Sequence, residues 1–132
     1  MRNSQGKTFI VDTNVILRFL VGDQPDQLKQ AQAWFKLARQ GEWQLQISSL
    51  VVAECCFVLE SFYHIKREQI AQKMSVLLGQ RWLQVPERAA FANMWDKYLD
   101  GLHFVDSYLL AWAKVHQQQV LSFDEKLKKN EK

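Results

Sequence analysis

The stretch TFIVDTNVILRFL, residues 8–20, limits the fold more than any other part of the chain. Phe9, Ile10 and Val11 form a short unbroken apolar run, too short for a helix and suited to a buried strand. After Asp12 the apolar residues Val15, Ile16, Leu17, Phe19 and Leu20 recur at helical spacing, so a helix is expected from Thr13 to about Leu20. The chain therefore opens with a strand that runs directly into a helix. A lone carboxylate marks the junction, where it is costly to bury unless something pairs with it.

The same alternation continues. Leu28, Ala31, Trp34, Phe35 and Ala38 mark a second helix that stops near Gly41. WQLQI at 43–47 reads as a strand, and Ser48–Ser49 are good caps for an apolar helix from about Leu50 to Phe62. Ile70, Met74, Leu77 and Leu78 mark another amphipathic helix. WLQV at 82–85 reads as a short strand. Pro86 suits the first position of a helix carrying Phe91, Met94, Trp95 and Tyr98. A helix over 104–117, a strand over 118–123 and a final turn at DEKLKK complete the pattern. Strands alternating with helices imply an α/β domain with a central, mostly parallel sheet.

The 132 residues suit one domain, 1–132, with flexible tails at 1–6 and about 129–132. The polar start MRNSQGK does not read as a signal peptide, and no apolar run approaches a membrane span. Cys55 and Cys56 are adjacent and lie among apolar neighbours, which favours buried thiols in a reducing compartment, the cytoplasm. The net charge of +3 permits a polyanionic partner without requiring one.

Asp23, Asp26, Glu42, Glu68, Glu87, Asp96, Asp100 and Glu131 lie where solvent is expected. Asp12, Glu54, Asp106 and Asp124 do not fit that account so simply. Taken singly, Asp12 and Asp124 are explained by helix capping. Glu54 lies too deep in its helix to cap it, and a capping box ending at Asp106 would find His103 at the cap position. Glu60, six residues after Glu54, points to another face, toward solvent. Together the four suggest carboxylates gathered at the carboxyl edge of a parallel sheet, where ligands bind at a switch in strand order. Such a cluster repels itself unless a cation joins it, and hard oxygen donors select Mg²⁺ or Mn²⁺. No Cys/His spacing resembles a zinc site. One or two such ions suit phosphodiester hydrolysis.

VDTNVILRFL, SSLVVAECCFVL, HFVDSYLLAWA and VLSFDEKL, in this order and approximate spacing, resemble the PIN-domain ribonucleases. They look most like the VapC-type toxins of type II toxin–antitoxin pairs. The resemblance implies a three-layer α/β/α sandwich and a Mg²⁺-dependent endoribonuclease, with Mn²⁺ able to substitute. Its catalytic metal ligands would be Asp12, Glu54, Asp106 and Asp124. It also implies a homodimer, an RNA substrate and an antitoxin that lays a peptide across the active-site groove. Asn14 and Thr13 match positions supporting the first aspartate. Ser122 falls where a Thr often stands and would bond a metal-bound water. Arg18 matches a basic position that would touch RNA phosphate or neutralise the acids.

Two features depart from the pattern. His103-Phe104-Val105-Asp106 lacks the extra acid of sequences like DFAD, and the lysine-rich segment after Asp124 is too short for more than a small final strand. His103 invites a general-base role, although a surface position accounts for it equally well. The tryptophans at apolar positions suit core or partner contacts better than RNA stacking. An apolar partner groove is expected near Phe19, Trp34 and Phe35. The alternative function is a non-catalytic PIN-like module that binds protein or RNA. A phospho-acceptor domain fits poorly, because WQLQI ends at serines rather than lysine. A nucleotide-binding domain fits poorly too, because no glycine-rich loop follows the first strand.

Overall fold

The computed structural model describes residues 6–130. The terminal tails expected at 1–6 and about 129–132 lie outside these, except residue 6 and residues 129–130; Lys129 belongs to the last helix. The chain forms two compact units, Met1–His64 with Gln80–Pro86, and Ile65–Gly79 with Glu87–Lys132.

The first unit holds a wholly parallel sheet of β1 (Lys7–Ile10), β2 (Trp43–Gln46) and β3 (Leu83–Gln84), in that order. Phe9 pairs with Leu45, which pairs with Leu83, so one face of the sheet is apolar. Gln44, Gln46 and Gln84 point the other way and are exposed, as a two-residue side-chain period requires. The pairing continues past the strands through Val11 N to Gln46 O and Ile47 N to Gln84 O, both 2.9 Å. These bonds make a rigid base for Asp12. The strands follow chain order, so the described sheet contains no reversal of strand order. The switch-point geometry expected from sequence is absent from it.

Helices α1 (Thr13–Val21), α2 (Pro25–Arg39) and α3 (Ser49–Ser61) complete this unit. α1 stops at Gly22, whose φ of 73° is left-handed and which donates its N–H to Arg18 O. Pro25 then starts α2 with the φ that a helix needs. Phe35 is buried against the edges of Phe19 and Trp82, with ring centroids at 4.6 and 6.0 Å. Ser48 Oγ accepts from Val51 N at 3.3 Å and caps α3, as the sequence predicts.

The second unit is helical: α4 (Arg67–Leu78), α5 (Arg88–Ala92), α6 (Trp95–Leu99), α7 (Phe104–Val115) and α8 (Glu125–Lys129). Ile70, Met74, Leu77 and Leu78 form the buried face of α4. The single helix expected after Pro86 is two short ones, and Pro86 lies outside both. Asn93 causes the break. Its side-chain amide donates to Ala89 O at 2.8 Å, while its backbone N–H turns to Ala90 O at 3.1 Å in place of Ala89 O. That local bond competes with the helical ladder.

The strand expected at 118–123 does not form. α7 ends in a reversal at Gln117, φ 56°, with Gln118 N bonded back to Ala113 O. Val120 packs on the cluster of Leu102, Leu110 and Leu127, whereas Leu121 and Phe123 are fully exposed at 100% and 103%. A short apolar run makes a strand only where a ladder partner is met.

Among the described residues no helix is long and apolar enough to cross a membrane.

Candidate functional site

Asp12 lies two residues past β1 and is the N-cap of α1. Its Oδ1 accepts the Thr13 N–H at 2.8 Å, which holds the carboxylate of this exposed residue. Thr13 thus supports Asp12 through its backbone. Asn14 lines a neighbouring hollow.

Glu54 is exposed on α3, well past the first turn and its serine cap. The next residue, Cys55, is buried with no exposed surface, and its thiol lies 3.8 Å from Thr13 O. That contact ties α3 to the first turn of α1. Burial pushes the Cys55 thiol up to about 12, and the Glu54 and Asp12 carboxylates push it in the same direction. Two negative charges therefore act on one thiol while both remain open to water. The concern that Asp12 is a buried charge does not arise.

Sequence reasoning treated Cys55 only as packing. Its link to Thr13, 42 positions away, leaves no periodic signal. A consequence is testable: both thiols should resist a thiol reagent at pH 8 in the native protein and react in urea, measured as thiols released per chain. The linkage has a definite sign. The raised folded value holds its stability below pH 9 and loses it as pH rises from 9 toward 12.

In the second unit, Asp106 is the third residue of α7 and half-buried. His103, exposed at the N-cap, accepts Ser107 N and Ser107 Oγ with its carbonyl, which is a structural use. Asp124 caps α8: its Oδ1 accepts from Lys126 N at 2.9 Å and Leu127 N at 3.4 Å. Ser122 Oγ accepts Asp124 N at 2.9 Å and so shapes the approach to that cap.

Arg18 donates from Nε to Gln27 Oε1 at 2.7 Å and from a terminal nitrogen to Tyr63 Oη at 3.3 Å. Tyr63 in turn donates to Asp23 at 3.4 Å. The guanidinium is held by these neighbours rather than paired with Asp12 or Glu54.

Among the described residues no three His, Cys, Asp or Glu side chains group into a ready-made metal cage. That does not conflict with magnesium, which is held through one or two carboxylates and keeps several waters. The donors beside Cys55 are two solvent-open carboxylates, all oxygen, so they fit a hard divalent ion.

Such a pair at the carboxyl end of a parallel strand defines a class, α/β proteins with an acidic site suited to phosphodiester chemistry. Residues 9–132 match the PIN domain, and the chain belongs to the PIN-domain family. PIN domains are in general nucleases, hydrolases acting on nucleic acid, and typically use divalent metals. The α/β class with a parallel sheet expected from sequence is the fold of this family. Comparison with curated proteins finds no match.

Proposed function

We propose that this protein is a Mg²⁺-dependent endoribonuclease of the VapC type, the toxin of a type II toxin–antitoxin pair. Residues 1–132 act in this reading as one nuclease domain, in the cytoplasm and as a homodimer. The observation that carries it is the Asp12–Glu54 pair, two solvent-open carboxylates beside one buried thiol, with Asp12 held by the Thr13 N–H. Asp106 and Asp124 are assigned the same ligand role, with Asn14, Thr13 and Ser122 in support. A divalent ion bound there supplies Lewis-acid stabilisation and an activated water, and Mn²⁺ substitutes for Mg²⁺. The chain's own part is orientation. Thr13 N–H holds one oxygen of Asp12, and the Cys55–Thr13 contact holds Glu54's helix against α1.

The antitoxin reading is supported by a hollow of about 320 Å³ beside Asp12. Phe9, Ile10, Val15, Trp34 and Trp43 give it an apolar wall suited to a side chain of an inserted peptide.

The test is cleavage of structured RNA. Activity is expected with Mg²⁺, absent in EDTA and restored by Mn²⁺, read on a denaturing gel. Undiminished cleavage in EDTA would reject the metal reading. RNA bound but left intact with either metal would favour the non-catalytic module.

A further inference from the structure

A second hollow, of about 210 Å³, lies between α1 and α2. Asn14 and Arg18 line it from α1, four residues apart and so on one face. Gln27, Gln30 and Trp34 line it from α2, again on one face. Like the hollow beside Asp12, with which it shares Val15 and Trp34, it has a mainly apolar wall. It adds three carboxamides and one guanidinium, which the other hollow lacks.

We propose that this hollow is a nucleotide subsite: it seats one unpaired RNA nucleotide of the bound strand, with the phosphate on Arg18 and the base against Trp34. The inference rests on the ribonuclease reading for cleavage of that strand, though not for the binding itself.

Three observations favour a nucleotide over a peptide. First, the guanidinium is pre-organised. Gln27 and Tyr63 take two of its five N–H donors and fix its plane, leaving donors for phosphate oxygens. Second, the indole of Trp34 is half-buried and forms part of the wall, so it presents a face for stacking without a large ordering cost. Third, Asn14, Gln27 and Gln30 are exposed amides, and paired donors and acceptors read base edges. Arg18 is six residues beyond Asp12, roughly 9 Å along α1 and about 120° around it, so the subsite is set apart from that carboxylate and takes a nucleotide elsewhere on the bound strand.

The test uses the full chain carrying Asp12→Asn, in EDTA, so that RNA is bound and not cut. The probe is a pool of random single-stranded octaribonucleotides; bound and free fractions are sequenced and affinity is titrated against salt. Adding Trp34→Ala should weaken binding by about 5- to 100-fold, the range for loss of one stacked base. Adding Arg18→Gln should lower the slope of log affinity against log salt by about 0.7, the release expected for one phosphate contact on a single strand. Gln30→Ala, at an exposed position with little bearing on folding, should shift base preference at one site in the octamer. Circular dichroism verifies the fold of each variant. Folded variants with unchanged affinity, salt slope and base preference would overturn the subsite. So would failure of the Asp12→Asn protein to bind the pool, or selective loss of a protein partner with RNA binding intact. If the parent protein cuts no RNA but the variants lose binding as described, the ribonuclease reading fails and the subsite stands.

Discussion

Asp12→Asn is expected to reduce RNA cleavage by at least ~100-fold, equivalent to about 2.7 kcal/mol of lost transition-state stabilisation, while leaving the fold intact. The separation of the two effects follows from the geometry. Asp12 bonds Thr13 N–H through Oδ1, and the asparagine carbonyl oxygen can occupy the same place. The cap of α1 therefore persists. What disappears is the negative charge, and with it half of the exposed carboxylate pair that fits a hard cation. Asp12→Ala removes both functions and should cost a further ~1 kcal/mol of stability, the usual worth of an N-cap. The asparagine variant should thus melt close to the parent and the alanine variant below it. Loss of one charge also lowers the Cys55 thiol from about 12, although burial, the larger cause, still holds it above its ordinary value. Cleavage by Asp12→Asn at the parental rate, from protein freed of host nucleases, would remove Asp12 from the chemistry.

The residues that were legible in the sequence are those whose role is local. Leu28, Ala31, Phe35 and Ala38 announce the buried face of α2 because a helix repeats its inward face every three to four residues. Ser48 caps α3, and Glu54 is beyond the reach of that cap, for the same local reason. The capping of Asp12 and Asp124 was legible too, and a cap need not exclude a second role: each uses Oδ1 for the helix. Where the structure departs from the pattern, a competing bond or a missing partner decides. Asn93 ends a helix that the apolar spacing alone would continue, because its amide reaches Ala89 O. Residues 118–123 read as a short strand, yet Leu121 and Phe123 have no apolar cover. Arg18 was legible as a cation, while the residues that hold it, Gln27 and Tyr63, lie 9 and 45 positions away and follow no period. Tertiary hydrogen bonds of this kind carry no signature in one sequence.

Arg67 provides the second large effect. The guanidinium sits at the start of α4 and donates to Tyr98 O at 2.7 Å and Leu102 O at 2.6 Å. It also lies 4.2 Å from the centroid of the Tyr98 ring, a cation–π distance. Tyr98 O belongs to the last turn of α6 and also accepts the Gly101 N–H at 3.2 Å, so Arg67 adds a second donor to it. Leu102 directly precedes His103, the N-cap of α7, and Asp106 is three residues further. One side chain therefore closes α6 and anchors the loop that launches Asp106. Arg67→Ala should cost about 2–4 kcal/mol, from two charge-assisted bonds and the ring contact. At ~2–5 °C per kcal/mol for a chain of this size, the melting temperature should fall by roughly 5–15 °C. Both bonds come from one nitrogen, Nη1; Arg67→Lys keeps the charge but loses the planar fork that lies over the Tyr98 ring, so it should fall between alanine and the parent. Cleavage measured well below the melting point should drop less than with Asp12→Asn, because Asp106 is displaced rather than removed. If Arg67→Ala melts with the parent, water serves those carbonyls equally well and the anchor has no energetic weight. If it melts low while the lysine variant recovers most of the loss, charge matters more than the fork.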